Sequence, residues 1–300
     1  IVIIFKNQIK EMKILLLGIL LICLNGFTGS TFDTITKFLS LNDYKWYHYY
    51  SIGLTASLLT LIIFLNFRGG AKKHIILEKK KYYVLPLIRG LQFALITPII
   101  FYSLKYIPIN IFTTLLMTTP FFLLIFAKFI LNEKLNFISW VSIIIGFIGV
   151  LIVLKPTNAS MNIYVFLVLL VAITNALSFT VVHKYSYMAT TYGFTFYSII
   201  PAMLFSYIFF FTDPIIPSGK ALLLFASSGI IVMISAWAFT AAYHIAGKYS
   251  SIISPFIFLQ ILWGSLYGII FFSEKISTLS IIGIFVIIAS GSIAVYNRNK

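Results

Sequence analysis

Charge is scarce in this chain: Asp, Glu, Lys and Arg make up 10% of its 300 residues, against roughly a quarter in an average soluble domain. Acid is the scarcer sign, with 7 Asp and Glu beside 22 Lys and Arg. This excludes an ordinary solvated surface, and it leaves no cluster of interfacial acids and histidines such as a lipid-modifying enzyme would present. Cysteine is nearly absent too. Cys23 stands alone, so neither an intramolecular disulfide nor a cysteine-based metal site can form; it reads as a small core residue. His48, His74, His183 and His244 are scattered and make no metal-ligand pattern, so no metal and no cofactor is expected. A glycine-rich phosphate loop, a nucleotide motif and a nucleophile-and-base arrangement are all missing, which argues against an ATP-driven pump and a membrane hydrolase.

What fills the chain instead is apolar: 60% of residues come from the aliphatic, aromatic and cysteine set, including 30 Phe and 18 Tyr. These fall in long runs with short polar breaks, each able to cross a hydrocarbon core of about 30 Å as a helix. The runs lie near 14–36, 44–66, 83–104, 108–131, 137–155, 161–183, 193–212, 221–244, 250–272 and 278–296. The expectation is an all-α integral membrane protein of ten transmembrane helices. A membrane barrel would show alternating segments of about ten residues instead. The first run is longer than the core of a secretory signal and is read as a retained helix. Met12 reads as a start, so the residues before it are given no functional weight.

The distribution of cations sets the orientation. With the N-terminus inside, fourteen fall on the inner side: Lys6, Lys10, Lys13, Arg68, Lys72, Lys73, Lys79, Lys80, Lys81, Lys134, Lys184, Lys248, Arg298 and Lys300. Six fall outside, at Lys37, Lys45, Lys105, Lys155, Lys220 and Lys275, while Arg89 and Lys128 lie within runs. Both termini are therefore expected in the cytoplasm. The basic loop from Arg68 to Lys81 reads as a topology determinant, and no nucleic-acid partner is expected, because the cations sit in loops between apolar runs rather than on one folded face.

An internal repeat organises the whole. Leu131-Asn132-Glu133-Lys134-Leu135, followed by a glycine-containing apolar helix, recurs as Phe272-Ser273-Glu274-Lys275-Ile276 and another such helix. The motif closes the fourth run and then the ninth, which makes the unit five helices. An odd unit enters the bilayer the second time in the opposite sense, giving two inverted five-helix repeats, an architecture that suits alternating access. The expected division is a cytoplasmic segment 1–13, a first repeat 14–156 and a second repeat 157–300.

On these residues the chain resembles the drug/metabolite transporter superfamily in its EamA-type branch. The matching elements are Pro120 before Leu131-Asn132-Glu133-Lys134, then Gly146 and Gly149 ending at Lys155-Pro156, and in the second half Ser254-Pro255, Gln260, Trp263 and Gly264 leading into Phe272-Ser273-Glu274. Within that branch it looks most like the S-adenosylmethionine uptake carriers of obligate intracellular bacteria, on Ser30, Asp33, Lys37, Phe38, Ile88-Arg89-Gly90-Leu91, Gly146-Phe147-Ile148-Gly149 and Leu154-Lys155-Pro156. It departs from that subgroup at Phe179-Thr180, where the subgroup has an acid. The resemblance implies a multi-pass protein of a bacterial inner membrane that carries a small metabolite.

Polar groups inside apolar runs are costly and mark candidate sites. Asp33 and Lys37 stand four residues apart and are expected to pair on one helix face, either as an interfacial pair or in a substrate or proton role. Arg89 either faces the interior or snorkels to the interface; Gln92 shares its face, and an anionic group such as a carboxylate suits both. Asn25, Asn175 and Gln260 either bond between helices or line a polar cavity. Trp237, Tyr243 and Trp263 either pack or stack on a planar or cationic solute. Gly264 and Gly268 allow close helix approach, within the fold or in a homodimer. Pro98, Pro120 and Pro255 are expected to kink their helices, and Glu133 and Glu274 to mark the repeat. The expected substrate-binding set is thus Asn25, Asp33, Arg89, Gln92, Asn175, Trp237, Tyr243, Gln260 and Trp263. The expected function is secondary transport of a small polar metabolite, S-adenosylmethionine first. An amino-acid or metabolite exporter of the same fold, or a non-transporting membrane subunit, are the alternatives.

Overall fold

A computed structural model describes residues 2–133, 135–154, 162–246 and 249–297. Among these residues the regular structure is helical throughout. The elements are α1 (Val2–Leu41), α2 (Trp46–Phe67), α3 (Ala71–Ile75), α4 (Val84–Tyr106), α5 (Ile109–Leu116), α6 (Thr119–Ile130), α7 (Phe137–Leu154), α8 (Ile163–Lys184), α9 (Thr191–Phe210), α10 (Gly219–Ala246), α11 (Ser250–Ile253), α12 (Leu259–Phe272) and α13 (Thr278–Asn297). Lys134, Lys155, Pro156, Lys248, Arg298, Lys300 and the expected boundary between the repeats lie outside the described residues.

Nine stretches among the described residues are long and apolar enough to cross a membrane, and α13 supplies a shorter apolar stretch, Thr278–Ala294. Their outer surface is what lipid requires. Leu20, Ile63, Leu95, Leu223 and Phe285 are each more than half exposed, an arrangement that water would disfavour and hydrocarbon does not. Successive spans alternate in direction, so one end of the bundle, here the near end, gathers the start of α1 with the loops α2–α4, α6–α7 and α8–α9. The far end gathers the end of α1 with the α4–α5 loop and the residues after α12.

Pro120 and Pro255 lie in spans that are broken, as expected, whereas Pro98 does not interrupt its helix. The fourth span is broken into α5 and α6 at Met117–Thr118, and the ninth into α11, a 3-10 turn over Ser254–Phe258, and α12. Pro98 stays inside α4. A proline lacks the N–H that its own i−4 carbonyl would accept, and a threonine just before it repairs the loss twice. Thr97 Oγ1 donates to Ala94 O at 2.9 Å beside Pro98, and Thr119 Oγ1 donates to Leu116 O at 2.6 Å beside Pro120.

Helix α1 packs along α10 and α12 and touches α4 and α5; α4 packs on α8 and α9, α6 on α8, and α7 on α13. The glycine pair of α12 is used within the fold. A Cβ on Gly264 would stand 2.6 Å from Thr113 of α5, and one on Gly268 would stand 2.7 Å from Ile109. That face is therefore occupied by α5 rather than open to a second copy.

Candidate functional site

Two polar tiers lie on α1, and a third lies between α4 and α8. At the far end, Lys37 is 6% exposed and yet fully satisfied. Its ammonium reaches Glu274 Oε1 at 3.1 Å and donates to Leu104 O at 3.1 Å and Ile107 O at 2.8 Å, one acceptor for each of its three protons. Glu274 in turn accepts the Ile109 N–H with both oxygens, at 2.9 and 3.0 Å. The cation thus sits at the C-terminus of α4 and the carboxylate at the N-terminus of α5, each where the helix dipole favours it. This corrects the expected Asp33–Lys37 pair. Their i,i+4 spacing permits contact, but the buried carbonyls and Glu274 offer Lys37 more than a single neighbour on its own helix does.

Asp33 lies one turn inward, 4% exposed, and accepts from Gln260 Nε2 at 3.2 Å. The Ser30 hydroxyl donates to Gln260 O at 2.9 Å, which pins the first turn of α12 to α1. No basic side chain comes within 4 Å of Asp33 among the described residues. Close by, Thr36 and Tyr49 share a hydroxyl contact of 3.0 Å, and the Tyr50 hydroxyl is buried with no hydrogen-bond partner.

The third tier lies between α4 and α8. Gln92 Nε2 donates to Asn175 Oδ1 at 3.2 Å. One turn nearer the near end, the half-buried guanidinium of Arg89 sits 5.3 Å from the centroid of the Phe179 ring, within cation–π range. It has no acidic partner within 4 Å and no hydrogen bond among the described residues.

The remaining candidates are placed differently. Asn25 and Ser235 bind each other reciprocally: Asn25 Nδ2 donates to Ser235 Oγ at 2.8 Å and to Ser235 O at 3.1 Å, and Ser235 Oγ donates to Asn25 O at 3.2 Å. Trp263 meets Phe27 edge-on at 5.2 Å, and Tyr243 lies 5.0 Å from Phe239. Trp237 borders a mostly apolar cleft between α2, α9 and α10, with Thr60, Phe64, Tyr192 and Thr195. The structure therefore brings together Asp33 with Gln260, and Gln92 with Asn175 beside Arg89. The sequence reading missed Glu274 as the partner of Lys37, although the repeat had already singled that residue out; Ser235 and Phe179 as partners carried no local signal.

Comparison with known proteins gives a consistent picture. The sequence profile of the EamA-like transporter family matches residues 16–155. The S-adenosylmethionine uptake transporter of Rickettsia prowazekii is 25% identical over 96% of both chains. A pseudopaline exporter of Pseudomonas aeruginosa is 24% identical over 89% of this chain and 91% of its own. A riboflavin transporter of Vibrio cholerae is 29% identical over 52% of each. A solved crystal structure shares the fold with a TM-score of 0.63 and 16% identity, over 94% of this chain and 97% of that one.

Proposed function

We propose, from the match of the EamA-like transporter profile to residues 16–155 and the similarity to metabolite carriers along the chain, that this is a transporter of that family and a secondary carrier for S-adenosylmethionine. Two inverted five-helix halves alternate access to a site along α1, α4, α8 and α12, in a bacterial inner membrane with both termini in the cytoplasm. The single observation that carries the reading is Arg89. It is a cation within a membrane span that has an aromatic face beneath it, a bound amide pair one turn away and, among the described residues, no acid within 4 Å. Such residues mark substrate pathways by default.

An amino-acid carboxylate is the complementary group, since a guanidinium binds carboxylates in bidentate fashion. S-adenosylmethionine carries such a carboxylate. The full-length similarity to a family of uptake carriers for this metabolite supports the choice. The second reading is export of an amphiphilic amino-acid derivative, supported by comparable similarity to the pseudopaline exporter.

Counterflow into proteoliposomes separates these readings. Vesicles loaded with unlabelled S-adenosylmethionine are expected to accumulate the labelled compound, whereas vesicles loaded with riboflavin or methionine are not. Absence of counterflow with S-adenosylmethionine in well-reconstituted protein rejects it as cargo.

A further inference from the structure

The two copies of the repeated motif end their helices in the same way. Asn132 and Ser273 both take the left-handed conformation, at φ 57° and 53°. Glu133 N–H then returns to Ala127 O at 3.2 Å, and Glu274 N–H to Gly268 O at 3.0 Å. Both glutamates are thus delivered to the same point just beyond their helices, but at opposite ends of the bundle. Glu274 uses that position at the far end to hold Lys37 and the first turn of α5, and through Lys37 the end of α4. The lysine comes from the final turn or so of the first span, the glutamate from the end of the ninth, and α1 and α12 are packed together.

The near end contains the matching parts. Lys184 closes α8, Glu133 follows α6, and α6 and α8 are packed together. Unlike Lys37, Lys184 is exposed; its ammonium lies 5.9 Å from the centroid of its neighbour Tyr185, with no carboxylate within 4 Å among the described residues. One end of the molecule therefore has its lysine latched, while the corresponding lysine at the other end hangs outward.

We infer that Lys37–Glu274 and Lys184–Glu133 are the alternating latches of the transport cycle, the first closed and the second open in this structure. The inference rests on the reading of the chain as two inverted repeats. Breaking one latch shifts the population toward the state in which the other is made, because the two arrangements exclude each other while drawing on one equilibrium. Lys184 and Glu133 are thus coupling residues that touch no cargo, and their effect is on which end is closed.

The test needs no substrate. On a Cys23→Ser background, Leu131→Cys and Tyr185→Cys place thiols beside the near-end latch while leaving Glu133 and Lys184 intact. Their cross-linking by a short bifunctional thiol reagent in membranes then reports closure of that end. Glu274→Gln is expected to raise the yield at least about fivefold, and Lys37→Met, which opens the far latch without leaving a buried cation, does the same if Glu274→Gln folds poorly. Adding Lys184→Gln is expected to abolish the rise, and the exchange Glu133→Lys with Lys184→Glu to restore it. A yield unchanged by both far-end substitutions, or a rise that survives Lys184→Gln, overturns the inference. A failure to find the transported metabolite leaves this readout standing, and the reverse also holds.

Discussion

Lys37 and Glu274 meet at 3.1 Å between the end of one helix and the start of another, with side chains only 8% and 11% exposed. Removing one member leaves the other buried without its partner. Glu274→Ala also strips the acceptor from the Ile109 N–H. It is expected to destabilise the purified protein by about 3–5 kcal/mol, and Glu274→Gln, which keeps an acceptor, by less. Thermal unfolding in detergent ranks the two; equal losses would mean that the acceptor for the Ile109 N–H contributes nothing beyond the ion pair.

Gly268 lies under the same carboxylate. A Cβ there would come 2.5 Å from Glu274 Oε2 and 2.7 Å from Ile109 Cγ2. Gly268→Ala therefore forces α5 and α12 apart and is expected to cost about 1–3 kcal/mol, visible in the same unfolding assay. A neutral result would show that α5 shifts freely.

Outside the spans, Asp213 accepts from Lys45 Nζ at 2.7 Å and from Tyr47 OH at 2.9 Å. The hydrogen bond from Lys45, then that from Tyr47, holds its carboxyl below the usual aspartate value. The bond that Lys45 donates to Asp213 pushes the lysine up to about 12. A carboxyl depressed by folding stabilises above its unfolded pKa of about 3.9 and loses that contribution as pH falls through the folded value. A raised lysine does the converse, stabilising below its unfolded pKa and losing that contribution as pH rises through about 12. The unfolding midpoint of the wild type is expected to fall more steeply below about pH 4 than that of Asp213→Asn. Both groups are exposed, so the difference is expected to be small and to shrink in high salt; identical acid limbs for the two proteins contradict the assignment.

Asn25 and Ser235 satisfy each other across α1 and α10. Asn25→Ala is expected to cost about 0.6–1.7 kcal/mol of stability, the range found for such bonds in membranes, without changing the KM for cargo. A raised KM at unchanged stability would return Asn25 to the binding site.

The helices were legible because hydrocarbon thickness dictates their length, and the breaks at Pro120 and Pro255 because a missing N–H is visible in the sequence. Partners were less legible. Asp33 is the acid nearest Lys37 along the chain, yet the fold brings Glu274 to it from the other half, and only tertiary structure reveals that choice. Arg89 and Gln92 could be placed on one face by spacing alone, but Asn175 and Phe179 arrive on α8. Trp237, Tyr243 and Trp263 were hard to rank because rings crowd the whole chain and most of them touch one another.

Uptake by proteoliposomes containing Arg89→Ala, compared with wild type, tests the central claim most directly. A guanidinium-to-carboxylate contact contributes about 1.5–3 kcal/mol, so the account predicts a KM for labelled S-adenosylmethionine raised at least about tenfold. It predicts little change for inhibition by an analogue lacking the carboxylate, with Arg89→Lys falling between. An unchanged KM, or an equal loss for cargo and analogue, would contradict it.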